Sequence, residues 1–360
     1  MANQNKNTKI ALIGYLLAKG GMERALSTAS QLLHNAECDV HIIVLEDDVE
    51  YPYFGTLLNL GKYSKYQKYF KLRKYLETHQ FDYIIDFRNR NNPLMELVFL
   101  HYIYSGFKTI YTVHTSVLPI HFTNNSWVAQ QMFNKIYKIV AVSSKMNEKI
   151  NTEYQFDQGV VISNCIAKKI DLPCLENVLP FKYIIAIGRM VKMKQLDKLI
   201  ETYSSSDLPD QEIHLVILGE GEEQANLEQL IENLDRKDFI HLLGFKADPT
   251  CYTKNAEFLV LTSQYEGFPM VILETLHTGI PVVSFDCETG PSEMIVNEYN
   301  GLLVENQNFT ALEEAINRLA NDVQLLAFCK MNAKSSVDQF SADAIQEKWL
   351  DLLHLNKLVK

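Results

Sequence analysis

The chain has 360 residues, 47% of them hydrophobic and 22% charged, with a formal net charge of −10. That length exceeds one ordinary core and suits two domains of about 150 to 180 residues each, while the acidic balance argues against a nucleic-acid binder, which carries a dominant basic field. No apolar run approaches the ~20 residues of a membrane-spanning helix, and residues 1–9 lack the apolar core of a signal peptide, so a cytoplasmic protein is expected, with any membrane contact peripheral.

Six cysteines (Cys38, Cys165, Cys174, Cys251, Cys287 and Cys329) show no Cys-x-x-Cys spacing and no histidine at zinc-like intervals. Reduced, mostly buried thiols are expected, in preference to disulfides or a metal site.

Residues 9–14 read as a short buried strand ending in glycine, the usual opening of a doubly wound domain. Gly20-Gly21-Met22-Glu23-Arg24 follows, then a helical pattern through Ala25, Ala29, Leu32 and Leu33. Glycines between a first strand and a first helix let the backbone approach a phosphate closely. Residues 14–20 do not spell Gly-x-Gly-x-x-Gly, which counts against a dehydrogenase. Residues 40–45 form a second strand, and Glu46-Asp47-Asp48 after it lacks the Asp-x-Asp spacing of a metal-binding turn.

Residues 62–76 are unusual: Lys62, Lys65, Lys68, Lys71 and Lys74 recur beside Tyr63, Tyr66, Tyr69, Leu72 and Tyr75, with no acid before Glu77. A period of three drifts around a 3.6-residue helix, so no single clean face forms. The segment is either a solvated helix with half-buried tyrosines or a basic, aromatic patch for an anionic membrane surface.

Residues 83–86 are a strand, and residues 87–92 after it a polar loop with room for acceptor hydroxyls. Residues 109–115 bring His114 to the same edge, as a structural residue or as part of a site. Strands at 138–143 and 160–164 complete a first domain over residues 1–165, and residues 166–181, with Pro173 and Pro180, are the expected linker.

The second domain, 182–340, opens with a strand ending in Gly188-Arg189; Lys194 stands five residues later. Strands at 214–218 and 240–243 end in Gly219-Glu220-Gly221 and Gly244-Phe245. The strand at 258–261 leads to Glu266-Gly267-Phe268-Pro269-Met270. There Pro269 suits the first position of a helix running to Thr278, with Gly279 as its stop. Glu266 then lies on a strand-to-helix loop at the carboxyl end of a parallel sheet, where such sheets bind ligands, and Glu274 lies about a turn inside the helix. The amides from Gly267 to Met270 sit at the positive helix end. A strand at 281–285 leads to Thr289-Gly290-Pro291-Ser292-Glu293, and the last helix carries Ile345, Trp349, Leu352 and Leu353 on one stripe.

The Glu-x7-Glu stretch from Glu266 to Glu274 resembles the signature of retaining glycosyltransferases of family four. Gly188-Arg189-x4-Lys194, Gly20-Gly21-x-Glu23, the Gly219-Glu220-Gly221 turn and the 289–295 loop are similar to further motifs of that family. The last of these is found in its bacterial polysaccharide and lipopolysaccharide members. The resemblance implies an α/β protein of GT-B architecture: two facing Rossmann-like domains, with a C-terminal helix (341–360) packing back on the first. It implies a retaining, metal-independent transfer of a hexose or N-acetylhexosamine from a nucleotide sugar, UDP-linked by expectation, with no cofactor beyond that co-substrate. The acceptor would be a saccharide or lipid-linked saccharide of cell-surface glycan synthesis, bound by the first domain.

In that scheme Arg189, Lys194, Gly20 and Gly21 hold the diphosphate, and Gly219 and Phe245 lie on the nucleotide side. Glu266 binds sugar hydroxyls with the amides of Gly267, Phe268 and Met270, Glu274 holds the ribose, and His114 lies near the transferred sugar. Two other classes share these features: a nucleotide-sugar epimerase of the same architecture, and a non-catalytic glycan- or lipid-binding module.

Overall fold

The apolar runs become the strands of two parallel sheets in a computed structural model that describes residues 7–18, 20–166, 174 and 178–355. The chain divides into two units, one of residues 1–167 with 340–360 and one of residues 168–339. Among the described residues the first unit holds β1 (Lys9–Gly14), β2 (Asp39–Val44), β3 (Thr56–Asn59), β4 (Tyr83–Asp86), β5 (Thr109–Val113), β6 (Lys138–Ala141) and β7 (Gly159–Val161), in the order β3-β2-β1-β4-β5-β6-β7. The second holds β8 (Lys182–Ile187), β9 (Ile213–Leu218), β10 (Ile240–Leu242), β11 (Leu259–Leu261), β12 (Val282–Asp286) and β13 (Gly301–Glu305), in the order β10-β9-β8-β11-β12-β13. Every pairing is parallel. Parallel strands are covered on both faces, which is why residues 10–13, 84–85 and 184–185 are continuous buried runs.

In each sheet the strand order reverses once, between β1 and β4 and between β8 and β11. Such a switch point leaves a crevice outside the carboxyl ends of the two central strands. The helix Gly21–Asn35 covers the first sheet with Leu26, Ala29, Leu32 and Leu33, and the helix Ala342–Leu352 returns to that core through Ile345, Trp349 and Leu352. Most of the expected linker, residues 167–173 and 175–177, lies outside the described residues.

Three expectations are corrected. Cys174 and Cys251, 77 residues apart, form a disulfide, whereas Cys38, Cys165, Cys287 and Cys329 are free and buried. Motif spacing carries no information about so distant a pair. Pro269 is the cap of its helix and not its first residue: its ψ of 99° is extended, and the helix runs Met270–His277.

The third correction concerns residues 87–92. Arg88 and Arg90 are wholly buried, and so are Asp86 and Glu96. The Arg88 guanidinium donates to Asp86 Oδ2 at 2.9 Å and Glu96 Oε2 at 3.1 Å and lies 3.3 Å from the centroid of Phe99. Arg90 donates to the carbonyls of Thr112 (2.6 Å), His121 (2.9 Å) and Asp86 (3.0 Å). The loop therefore presents neither arginine to an acceptor; both are consumed in holding β4, β5 and the turn around His121 together. Among the described residues no helix is long and apolar enough to cross a membrane.

Removing one partner of a buried ion pair strands the other charge, at about 3–5 kcal/mol. Arg88→Met is expected to destabilise the first unit by that amount, measured by denaturant unfolding. A loss below about 1 kcal/mol, the scale of a surface pair, would show that the cluster does not bear on stability.

Candidate active site

The second unit's crevice is built by the loops that leave β8 and β11. After β8 the chain passes Gly188 and Arg189 and enters a short 3-10 turn, Lys192–Lys194, before the helix Leu196–Ser205. After β11 it runs through Thr262 to Pro269 into the helix Met270–His277. Lys194 Nζ and Glu266 Oε1 meet at 2.5 Å, with side chains 19% and 11% exposed, so an ion pair bridges the two loops over the switch point. Enough of it reaches solvent for a ligand to approach either partner.

Both partners are held from behind. Thr262 donates its hydroxyl to the Lys194 carbonyl at 2.8 Å, and the Gln264 amide donates to the Met193 carbonyl at 2.9 Å. The buried hydroxyl of Thr289 donates to the Glu266 carbonyl. Gly290 (φ 103°) occupies the left-handed region, and a Cβ there would overlap the Pro269 ring, so the 289–293 segment seats against the Gly267–Pro269 turn only with glycine at this position. The hydroxyls of Thr262 and Thr289 are contributions that motif reading did not single out. Hydroxyl residues at strand ends are too common to stand out, although the Thr289-Gly290 loop was visible as a resemblance.

Arg189 is exposed, while Phe268 is buried and Met270 and Glu274 half-buried. Gly267, also buried, begins the turn whose following amides lie at the helix start. The Gly219-Glu220-Gly221 turn packs directly on the β8 loop. Gly188 N–H donates to Leu218 O at 3.0 Å and Met190 N–H to Glu220 O at 2.9 Å, and a Cβ on Gly219 (φ 143°) would overlap the Gly188 carbonyl. The glycine thus sets how closely the arginine loop lies. Beside it, the Gly244 carbonyl accepts from Gly219 N–H at 3.0 Å and the Phe245 amide donates to Glu220 Oε1 at 3.3 Å. These two main-chain groups are engaged by the turn, which leaves the Phe245 carbonyl and its exposed ring.

In the first unit, Gly20 caps the helix Gly21–Asn35, and the Glu23 carboxylate folds over Gly20 so closely that a Cβ there would overlap it. The acid at the third helical position favours the positive helix end. His114 follows β5; its backbone N–H donates to His121 Nε2 at 3.2 Å and its ring stacks on Phe87 at 5.6 Å. Its Nε2 is sealed from solvent with no partner among the described residues. Burial, reinforced by the Arg90 guanidinium, pulls its pKa down to about 3, so the ring is neutral at physiological pH. The adjoining cavity, of about 20 Å³, is water-sized and cannot take a sugar. Among the described residues no three His, Cys, Asp or Glu side chains converge as metal ligands would.

The helix Lys65–His79 packs on the first unit with half-buried tyrosines, as the structural reading of its sequence expects. Tyr69 packs edge-on against Phe99, and Tyr75 binds His41 at 2.6 Å, both half-buried as a structural helix requires. Lys68 donates to the Leu45 carbonyl at 2.5 Å, and Arg73 is taken by Glu77 and the carbonyls of Ile103 and Ser105. Lys62, Lys65, Lys71 and Lys74 remain exposed together with Tyr66, 88% exposed, and Phe70, 62% exposed.

Known proteins match this arrangement along most of the chain. A Staphylococcus aureus poly(ribitol-phosphate) alpha-N-acetylglucosaminyltransferase is 29% identical over 222 residues, 61% of this chain and 44% of its own length, so the chain spans less than half of that relative. A Campylobacter jejuni N-acetylgalactosamine-N,N'-diacetylbacillosaminyl-diphospho-undecaprenol 4-alpha-N-acetylgalactosaminyltransferase is 28% identical over 358 residues, covering 92% of this chain and 95% of its own. The crystal structure of Anabaena Alr3699/HepE in complex with UDP superposes with a TM-score of 0.78 at 20% identity, covering 96% of this chain and all of that one, a likeness of fold. Residues 19–168 match the model of glycosyltransferase family 4 and residues 176–336 that of glycosyl transferases group 1. The chain therefore belongs to the family-four type of glycosyltransferases and has the GT-B fold.

Proposed function

We propose that this glycosyltransferase retains the anomeric configuration and needs no metal, taking a hexose or N-acetylhexosamine from a UDP-sugar to a saccharide acceptor of a cell-surface glycan. The Lys194–Glu266 ion pair over the switch point carries the reading, because it sets a cation beside a sugar-binding carboxylate where a phosphosugar would lie. The similar Staphylococcus and Campylobacter proteins are named for transfer of N-acetylated hexosamines, and the Anabaena structure holds UDP.

In this reading the second unit binds the donor and the first the acceptor. Lys194 and Arg189 take the diphosphate, and the amides of Gly267, Phe268 and Met270 at the helix start donate to sugar oxygens beside Glu266. Glu266 accepts hydrogen bonds from sugar hydroxyls, Glu274 from the ribose, and the Phe245 carbonyl with the Gly219 turn borders the base. As the bond from the anomeric carbon to the diphosphate oxygen breaks, the leaving group gains negative charge, which fixed cations stabilise without reorganising. The acceptor oxygen bonds to the same face of that carbon, and its proton passes to the departing phosphate oxygen. His114, neutral and held by His121, and the Gly20-Gly21 turn are the first unit's contributions.

Metal independence rests on the charge balance of this reading, in which Lys194 and Arg189 carry the charge a divalent ion would neutralise. The exposed lysines and rings of residues 62–74 support a lipid-linked acceptor presented at an anionic membrane face, in keeping with the diphospho-undecaprenol in the name of the Campylobacter protein.

Three measurements test these assignments. Arg189→Ala and Lys194→Ala are expected to lower turnover by ~10²–10³ with activity unchanged in EDTA, the scale for loss of one preorganised charge stabiliser. Near-normal rates in folded variants, or loss in EDTA restored by magnesium, would overturn the charge assignment. Sugar interconversion without an acceptor would indicate an epimerase instead, and no donor turnover a binding module.

Glu266→Gln is expected to impair sugar transfer while leaving UDP affinity within about twofold, and Glu274→Gln to weaken UDP itself. Calorimetry giving equal UDP affinity for both variants would sink that division.

Parent protein should co-sediment with anionic vesicles at low salt, and the Lys62, Lys65, Lys71 and Lys74 to Gln variant should not. Each such cation contributes about 1 kcal/mol near an anionic surface. Equal binding by both, or none by the parent, would favour a soluble acceptor.

A further inference from the structure

The helix Val323–Ala333 of the second unit is apolar on both sides, although described residues cover only one of them. Leu325, Leu326 and Cys329 pack on the core of that unit, and Ala333 is buried on the same side. The outward side carries Val323, Gln324, Ala327, Phe328 and Met331, all exposed, Val323 by 74% and Met331 by 71%. None of them is charged. A surface helix turns charged and polar residues to water, and one that is apolar all round is covered all round. Phe328 meets Tyr299 edge-on with ring centroids 6.0 Å apart, so the apolar surface continues onto the 296–299 turn, where Val296 is exposed.

The charges that border this face are paired among themselves. Lys330 donates to Glu257 at 2.7 Å, and Arg318 to Glu298 at 2.7 Å. An anionic bilayer is drawn to helices flanked by lysines and arginines, and here those two cations are already neutralised by carboxylates. Glu257 stands before β11 and Glu266 after it, so the face lies toward the amino end of the sheet, away from the Lys194–Glu266 edge.

The pattern fits a second copy of the same helix. Val323, Ala327 and Met331 recur every four residues as one ridge, and Gln324 and Phe328 form the next, with a groove between them. Ridges of this spacing on two helices interdigitate at a crossing of about −50°, with the axes about 8–10 Å apart. The first ridge is also balanced about its centre, with a bulkier side chain four residues to either side of the small Ala327. In an antiparallel pair with a two-fold axis at Ala327, Val323 packs on the partner's Met331, and the two alanines let the backbones approach. Lys330 then faces the partner's Gln324, and Asp322 the partner's Asn332. No like charges meet, and the two helix dipoles run in opposite directions.

We propose that two copies of this chain form an isologous dimer across the outward side of the helix Val323–Ala333, with Ala327 on the two-fold axis. A single helix crossing is smaller than the ~800 Å² per partner of a standard interface, so a reversible dimer is expected rather than an obligate one. Pairing through this face leaves the Lys194–Glu266 edge of each copy open.

Sedimentation velocity of the full chain across ~1–100 µM, which brackets a micromolar dissociation constant, should show monomer passing to dimer. Ala327→Glu and Ala327→Lys should each weaken association at least tenfold, because like charges then meet on the axis. Both put a good helix former at an exposed position, so both variants should fold. An equal mixture of the two should dimerise again, since opposite charges then face each other. If either fails to fold, Met331→Glu, also on the outward side, should weaken the parent dimer by a similar factor, and an unchanged dimer refutes the face. A parent that stays monomeric, a dimer that neither variant alters, or a mixture that does not recover overturns the two-fold contact at Ala327. A monomeric parent that co-sediments with phosphatidylcholine vesicles, and loses that binding in Ala327→Glu, would give the face to a membrane. A monomeric parent that ignores vesicles would leave it to a different protein, and both results overturn the dimer.

Discussion

The Lys194–Glu266 ion pair is the contact on which the second unit's site depends. At 2.5 Å, with both side chains mostly but not wholly out of water, it is neither a screened surface pair nor a sealed core pair. Sequence distance makes its formation a tertiary event: the two residues are 72 apart, and only the adjacency of β8 and β11 brings their loops together. Thr262, Gln264 and Thr289 then fix the main chain on either side, so the charges are positioned by backbone bonds and not by long flexible side chains alone. A diphosphate arriving at Lys194 would compete with Glu266 for the ammonium, and the carboxylate so released would be free to accept sugar hydroxyls. In the proposed reading, binding of the two halves of a donor would then be coupled through one cation.

The same topology is put to opposite use in the first unit. Its switch point, between β1 and β4, also receives a charged pair, but Arg88, Asp86 and Glu96 are buried outright and roofed by Phe99, with Tyr15 close by. Every strong donor of Arg88 and Arg90 ends on a carboxylate or a carbonyl of the fold. That edge holds a neutral His114, kept in place by His121, and a helix start already covered by the Glu23 carboxylate. At its switch point the second unit presents Lys194 and an exposed Arg189, whereas the first unit's Arg88 and Arg90 there are spent within the fold. That asymmetry, and not the fold, which is the same on both sides, supports assigning the donor to one unit and the neutral acceptor to the other.

How much was legible in the sequence depends on which forces are local. Buried parallel strands announce themselves as apolar runs, so β1, β4, β5 and β8 stand close to where the hydrophobic pattern puts them. Gly188-Arg189-x4-Lys194 and Glu266 were visible because turn and helix-start residues surround them, and the structure brings Lys194 and Glu266 together. The edge strands β3 and β13 were missed, since one is only partly buried and the other comes after a polar segment. Arg88 and Arg90 looked like solvated loop residues because a charge reads the same in sequence whether water or a carboxylate neutralises it. The Cys174–Cys251 disulfide joins residues whose nearness is wholly tertiary.

The helix Lys65–His79 shows how a weak pattern can be resolved by its partners. Its period-three lysines and tyrosines gave no face in sequence, and Leu72 and Leu76 are its only wholly buried residues. Packing sorts the rest: Tyr69, Tyr75, Lys68 and Arg73 are drawn to the domain by a ring edge, an imidazole and carbonyl oxygens. The outward remainder is enriched in cations and rings because nothing in the first unit used them. On a chain of net charge −10, such a cluster is a local inversion of sign. Screening within a Debye length of about 8–10 Å keeps the distant acids from cancelling it, so an anionic surface would meet this helix as basic even though the whole chain is acidic.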